Sequence, residues 1–479
     1  MLTVQPAPAP ATAPAKPAAN ASAKERRAFG KALRAEVPLG SHADFQRPAA
    51  ARDPLALLVE QGASRVPELL PIRYGRMVET PFTYFRGSAR VMAADLTASP
   101  RSGLAVQMCG DAHLSNFGLS GSPERRLIFD VNDFDETLPG PFEYDVKRLV
   151  ASLVVAGRAN GFSGKKRRAI AVAAGARYRA EMAAYAAARD IDVWYSHVDS
   201  DELLQQLSAR LDAARRKRLV EAFARARSRD SVQAFGKLTE MVDGHAQLRS
   251  QPPLIVPLRE LISDSEGYVE KALREVLRQY RSSMQADHRL LLERYRYVDM
   301  ARKVVGVGSV GTRCWVVLLT GRDDDDPLIL QLKEATPSVH AEFVGRSKYS
   351  NQGQRVVAGQ RLMQQASDIF LGWHRTAGVD GVTRDFYVRQ LKDWKGSFVI
   401  EELRSEGLRM YGEVCAWSLA RAHARSGDRI AIAGYLGSSS TFEEALAEFG
   451  ETYADVTERD HRQLSEAITA GQLPAVLGT

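Results

Sequence analysis

The sequence predicts an α+β protein in two parts, one rich in helices and a smaller one rich in strands. Three observations carry this expectation. Tyr144, Val146, Leu149, Val150, Leu153 and Val154 recur at helical spacing, and residues 141–300 read as helical almost throughout. Residues 301–402 switch to β-type runs, among them Cys314-Trp315-Val316-Val317-Leu318-Leu319 and Leu328-Ile329-Leu330-Gln331-Leu332-Lys333. From about Gly407 the pattern is helical again.

The elements follow in order. Met1 to Ala23 is mostly Ala and Pro, and residues 1–24 are expected to be a disordered tail. Residues 25–300 form an N-terminal segment plus the helical part. Within it, Asp53-Pro54 reads as a capped helix start. Residues 106–140 hold short strands and loops, and the Ala-rich run from Ala169 to Ala188 continues the helical theme. Residues 301–402 are the strand-rich part, interrupted by one helix expected over Arg355 to Gln365. Residues 403–479 supply the final helices, with Tyr411 to Arg425 expected to pack beneath the loop at residues 109–116.

Composition narrows the function classes. The chain has 479 residues, 45% hydrophobic and 26% charged, which fits a water-soluble globular protein with room for two or three packed units. A net charge of +7 is modest for this length. Lys165-Lys166-Arg167-Arg168 and Arg215-Arg216-Lys217-Arg218 concentrate some of it. No aromatic residues interleave these runs, so they predict solvated helix faces more than a nucleic-acid surface. Cys109, Cys314 and Cys415 are far apart, which indicates neither a disulfide framework nor a zinc site. That pattern suits the cytoplasm. No apolar stretch approaches the roughly 20 residues needed to span a bilayer.

Two motifs carry chemistry. The first is Cys109-Gly110-Asp111-Ala112-His113-Leu114-Ser115-Asn116, followed by Asn132-Asp133-Phe134-Asp135 at the end of the strand-like run Ile128-Phe129-Asp130-Val131. Phosphoryl transfer needs a carboxylate to orient and deprotonate an acceptor hydroxyl, and oxygen ligands to hold Mg²⁺ against phosphates. Asp111 in a loop, Asn116 at D-x4-N spacing, and Asp133 and Asp135 at a strand end supply that set. Taken singly, each is also an ordinary turn residue. His113 reads as a proton carrier, a metal ligand or a hydrogen-bonded loop histidine.

The second motif is Gly306-Val307-Gly308-Ser309-Val310-Gly311. A dinucleotide loop opens a helix. Here β-type runs flank the glycines, so the expected structure is a hairpin lying over phosphates. A polar turn from Arg322 to Pro327 follows, and then the strand that ends in Lys333. Alternation puts Lys333 on the face of Gln331 and Ile329, opposite Leu328, Leu330 and Leu332. A lysine there requires a partner, which nucleotide phosphates would provide. Phe386 to Leu391 is a further strand, followed by Lys392-Asp393 as a hinge between the two parts. Arg73, Arg76 and Arg86 read as structural ion pairs or as contacts to an anionic acceptor.

The acidic motif, with Phe142 to Leu149 opening the next helix, resembles the aminoglycoside phosphotransferase branch of the protein-kinase-like superfamily. From about residue 27 the chain also resembles a bacterial family catalogued as domain of unknown function 2252. Phe82 to Gly87, Gly110 to Gly118, Asn132 to Glu136, Gln360 to Gln364 and Ala433 to Gly437 carry that resemblance. It implies a two-lobed, kinase-like fold that is circularly permuted, since the glycine loop and lysine follow the catalytic loop. It also implies ATP and Mg²⁺ in a cleft between the lobes. Asp111 would be the catalytic base, and Asn116, Asp133 and Asp135 the metal ligands. Gly306, Gly308, Ser309, Gly311 and Lys333 would bind the nucleotide.

Two departures stand out. No glutamate lies on the helix after the lysine strand, which leaves Glu334 and Glu342 as candidate partners for Lys333. Cys109 stands where the phosphotransferases commonly carry histidine. Three functions remain open: a phosphotransferase with a small-molecule or protein acceptor, a pseudokinase or AMP-moving protein, and a metal-dependent phosphohydrolase.

Overall fold

The computed structural model describes every residue except 1–16, 19, 49–50, 199, 229–230, 262–274, 324, 379, 392–393, 395 and 479. Most of the expected tail therefore lies outside the described residues, as do the hinge residues Lys392 and Asp393. A helix already starts at Ala23, where Ser22 and Glu25 form a reciprocal capping box. The chain is mixed α+β, with a helix-rich part and a six-stranded sheet.

Four short strands frame the acidic motif. They are β1 (Ala105–Met108), β2 (Phe117–Gly121), β3 (Leu127–Val131) and β4 (Leu138–Pro141). β1 pairs with β4 and β2 with β3, both antiparallel. A second hairpin follows later, β5 (Thr239–Val242) with β6 (His245–Leu248). The large sheet contains β7 (Ile255–Pro257), β8 (Arg296–Lys303), β9 (Cys314–Thr320), β10 (Pro327–Ala335), β11 (Gly372–Ala377) and β12 (Thr383–Gln390). Its order is β11-β12-β10-β9-β8-β7, antiparallel throughout.

This sheet corrects the expectation of near-continuous helix over 141–300. β5 to β8 all begin inside that span. β8 is concealed because its register shifts between Tyr297 and Asp299, so its apolar residues lose the period of two that marks a strand.

Alternation divides the sheet faces as the pleat requires. Val317, Leu319, Leu328, Leu330 and Leu332 pack with Tyr280, Met284 and Phe370 on one face. Val316, Leu318 and Ile329 pack with Ala234, Leu238 and Leu248 on the other. Gln331 and Lys333 share that second face and are buried.

The main core belongs to the helical part. The helix Phe142–Ala159 is buried on every side from Phe142 to Gly157, which exceeds the single stripe the spacing predicts. The helices Gly164–Ala187, Ser405–Ser426 and Thr441–Thr469 pack around it. Tyr411 donates its hydroxyl to the carbonyls of Leu114 and Phe117, at 2.9 and 3.0 Å. The N-terminal segment folds back onto these last helices. Arg34 donates to the carbonyls of Gly434 and Tyr435, and Arg47 bridges Asp95 and Asp460.

One buried ion pair joins three elements at the base of the acidic loops. Asp130 on β3 accepts from Arg421 at 2.8 and 2.9 Å, from Ser418 at 3.0 Å and from the Gln365 amide at 2.9 Å. Both charges are excluded from water. Removing one partner leaves the other charged and buried. Asp130→Ala should therefore lower unfolding free energy by about 3–5 kcal/mol in urea titration. A loss under about 1 kcal/mol would contradict this role for the pair.

Candidate functional site

Between the helical part and the sheet lies a cleft of about 670 Å³. Its walls carry Asp111, His113, Asn116, Asp133, Asp135, Gly306, Gly308, Ser309 and Lys333. Of the residues expected to be catalytic, metal-binding or nucleotide-binding, Gly311 lies off the cleft wall, at the end of the loop, as do Arg73, Arg76 and Glu342 among the further candidates. Two kinds of side chain thus converge although Asp135 and Lys333 are 198 positions apart.

The acidic loops are held by the buried charges of the helix Phe142–Ala159. Asp145 accepts from the amides of Cys109 and Gly110, at 2.8 and 3.0 Å, and from His423 at 3.1 Å. Arg148 donates to Asp111 at 2.9 Å and to the Phe85 carbonyl at 2.7 Å. Gly110 has φ +83°, and a Cβ there would lie 2.2 Å from the Glu136 carbonyl oxygen. Only glycine lets the two acidic loops approach this closely. His340 Nε2 meets the Gly110 carbonyl at 2.7 Å, and the Asn132 amide donates to the Asn116 carbonyl at 2.8 Å.

Asp111 is part-buried. Burial holds its carboxyl above the usual range, against the opposing pull of Arg148. Burial, Arg148 and Arg86 hold the His113 imidazole well below its ordinary value, so it is neutral. His113 Nε2 stands 3.6 Å from Asp111, and its buried Nδ1 has no hydrogen-bond partner among the described residues.

Lys333 does not pair with a glutamate. Its Nζ donates to Asp135 Oδ2 at 2.6 Å and lies 3.6 Å from Asp133. Burial draws the ammonium down, but the two aspartates outweigh it and hold it well above its ordinary value. Asp135 also accepts from Tyr387 at 2.6 Å and Ser309 at 3.2 Å. Burial pushes this carboxyl up, yet Lys333 and Tyr387 bring it below the usual range. Glu334 instead faces Arg313 and Arg384, and Glu342 faces Arg52 and Arg90.

The helix after the lysine strand, Gln352–Met363, presents Arg355 where a glutamate was sought. This buried guanidinium donates to the carbonyls of Asp135, Thr137 and Thr336, at 2.7–2.8 Å.

The glycine motif forms a loop with one 3₁₀ turn, Val307–Ser309, between β8 and β9. Arginines from the N-terminal segment grip its carbonyls. Arg65 donates to Gly308 at 2.9 Å and to Val310, and Arg76 donates to Val305 at 2.7 Å. Gly311, at φ +89°, needs the left-handed conformation, and a Cβ there would lie 3.0 Å from the Arg65 side chain. A Cβ at Gly306 would meet open space.

Sequence reasoning overlooked Arg65, Asp145, Arg148, Arg355, Tyr387 and Arg389. Arg148 and Asp145 stood in a quoted stretch, three residues apart on a helix whose apolar residues already claimed the core. That was a usable sign of buried charge. Nothing local marked Arg65 or Tyr387.

The molecule is thus an α+β protein whose helical part and sheet meet at a cleft lined by carboxylates and a lysine. Its sequence matches the family described as an uncharacterized protein conserved in bacteria (DUF2252) over residues 65–467, and the chain belongs to that family. Comparison with curated proteins and with solved structures finds no match. No helix among the described residues is long and apolar enough to cross a membrane.

Glu136 supplies a pH test of the loop packing. It accepts from the Val339 amide at 2.7 Å, and burial pushes its carboxyl up to about 7 from 4.5. Between those values the unfolded chain has lost the proton that the folded chain keeps, so rising pH lowers stability. Glu136→Gln keeps an acceptor oxygen and removes the titration. The variant should gain on the wild type by about 1–3 kcal/mol between pH 4.5 and 7.5 in urea titrations at each pH. A pH-independent difference would remove Glu136 from this role.

Proposed function

We propose that the protein is a kinase-like phosphotransferase with a circularly permuted order of parts. It would bind ATP with Mg²⁺ in the cleft and pass the terminal phosphoryl group to an acceptor hydroxyl. One observation carries the reading: Lys333 lies within 2.6 Å of Asp135 and 3.6 Å of Asp133, in the same cleft as Asp111 and the glycine loop. Cation, carboxylates and loop are the parts that phosphoryl transfer employs. The packing of the N-terminal segment onto the last helices also suits a permuted chain, because it draws distant chain regions together.

The donor set fits a divalent cation in part. Asn116 uses its amide nitrogen on the Asp111 carbonyl at 2.9 Å, which leaves its oxygen for the cleft. Asp133 accepts one amide, from Asp135 at 3.1 Å, and keeps oxygen capacity. Asp135 spends both oxygens on Tyr387, Lys333 and Ser309, so its role here is to position the lysine. Asp133 and Asn116 would hold the cation, which when bound neutralises phosphate charge.

Asp111 would take the acceptor's proton. As that oxygen bonds to the terminal phosphorus, the bond from phosphorus to the bridging oxygen breaks and ADP leaves with the electron pair. Lys333 would neutralise the phosphates, and Gly306, Gly308 and Ser309 would cover them.

A second reading, nucleotide binding or AMP transfer without fast phosphoryl transfer, draws on the Arg148–Asp111 pair. An ion-paired carboxylate is a weaker proton acceptor. The phosphohydrolase reading has less support. Among the described residues no group of three or more His, Cys, Asp or Glu side chains is arranged to hold a metal.

Thermal shift provides the first test. ATP–Mg²⁺ at 100 times its dissociation constant should stabilise the fold by about 2.7 kcal/mol, with little from Mg²⁺ alone. Asp111→Asn should reduce turnover roughly 10²–10⁴-fold and leave nucleotide affinity nearly unchanged. Lys333→Ala should weaken nucleotide binding. Absence of any nucleotide-dependent shift would end the proposal, and unchanged turnover in Asp111→Asn would remove Asp111 from the chemistry.

A further inference from the structure

Arg86 is the C-terminal arginine of the helix Pro81–Gly87, and its side chain lines the cleft. Among the described residues it has neither a hydrogen-bond nor an ion-pair partner, and its Nε is shielded from water. That separates it from the other arginines around the cleft. Arg65 and Arg76 are committed to glycine-loop carbonyls, Arg148 to Asp111, Arg355 to loop carbonyls and Arg389 to Gln331 and Asn132. A guanidinium partly withdrawn from water, with no carboxylate in direct contact, has donors left for an anion in the cleft.

Its position indicates which anion. The backbone on either side of Arg86 ties the two halves of the cleft together. The Phe85 carbonyl accepts from Arg148, the partner of Asp111, at 2.7 Å. The Arg86 carbonyl lies 3.3 Å from where a Cβ on Gly308 would stand. Burial draws the Arg86 guanidinium down, Glu401, Asp111 and Glu79 oppose this, and its charge in turn helps to keep His113 neutral. Lys333, by contrast, is engaged by Asp135 at 2.6 Å and Asp133 at 3.6 Å. Arg86 therefore follows directly on the residue that ties Arg148 and Asp111 to its helix, and its side chain faces the same cleft.

We propose that Arg86 receives an oxyanionic group, phosphoryl or carboxyl, on the molecule whose hydroxyl is presented to Asp111. The acceptor is then a hydroxylated small anion. Arginine suits this task because its planar fork can donate two parallel hydrogen bonds to such a group. The inference rests on the phosphotransferase reading and specifies the substrate class of the same cleft.

The test uses the full-length protein saturated with a non-hydrolysable ATP analogue and Mg²⁺, so that the nucleotide's own phosphate positions are filled. Inorganic phosphate and acetate are then titrated separately by calorimetry, the first probing for a phosphoryl group and the second for a carboxyl. The wild type should bind at least one of them. Arg86→Gln and Arg86→Lys should weaken that binding about tenfold to a hundredfold, more for Gln than for Lys, with analogue affinity changed less than about threefold. Circular dichroism confirms that each variant is folded.

Failure of the wild type to bind either anion overturns the inference, as does equal binding by Arg86→Gln. A tenfold loss of analogue affinity in both variants also overturns it and reassigns Arg86 to the nucleotide phosphates, with the phosphotransferase reading intact. A wild type that binds no analogue removes that reading and this inference with it.

Discussion

The structure depends on a helix that carries charge into the core. From Phe142 to Gly157 the helix has no solvent face, yet it bears Glu143, Asp145, Lys147 and Arg148. Each charge is answered by a loop and not by water. Glu143 accepts from the Ser102 amide at 2.8 Å, Asp145 from Cys109 and Gly110, Lys147 donates to Ser99 at 3.0 Å, and Arg148 donates to Asp111. Burial lowers the Lys147 ammonium to about 7, a measure of how dry this interior is. Unsatisfied, such groups would unfold the domain; satisfied, they dictate where the preceding loop must run. The cleft inherits its geometry from this helix.

A second set of bonds makes the two parts act as one site. Lys333 and Tyr387 reach from adjacent strands to Asp135, and Arg355 grips its carbonyl and that of Thr137. The segment after β10 closes over the other loop, through Ser338 and Val339 to Glu136 and His340 to Gly110. The sheet's own cores lie above and below β9 and β10. They hold the strands rigid, so the polar pair Gln331 and Lys333 is delivered at a fixed height over the acidic loops.

How much of this was legible in the sequence follows from what each residue answers to. Regular periodicity marks elements that bury one face, so β9, β10 and the helices Gly164–Ala187 and Ser405–Ser426 were readable. Asp111, Asn116, Asp133 and Asp135 stood out by residue type and spacing, as did Lys333 on a strand of leucines, and the fold brings them to one cleft. β8 was hidden by its bulge and β7 by its three-residue length. Partners were not legible, because nothing in a linear pattern states that Asp135 meets Lys333, or that an arginine from residue 65 takes the carbonyls of a loop beyond residue 300. The search for a glutamate opposite Lys333 fixed on sequence neighbours, whereas the partner comes from a loop 198 positions earlier.

Arg355 has a consequence for control. In an arrangement where a helix carboxylate pairs with the nucleotide lysine, rotating that helix breaks one ion pair and silences the site while the rest of the fold stays put. Here the helix is moored to three main-chain oxygens by a single fork. Swinging it outward would strip those oxygens and drag the aspartate loop along. Such a helix is a fixed strut rather than a lever, and any on–off control of this cleft has to act through some other moving part.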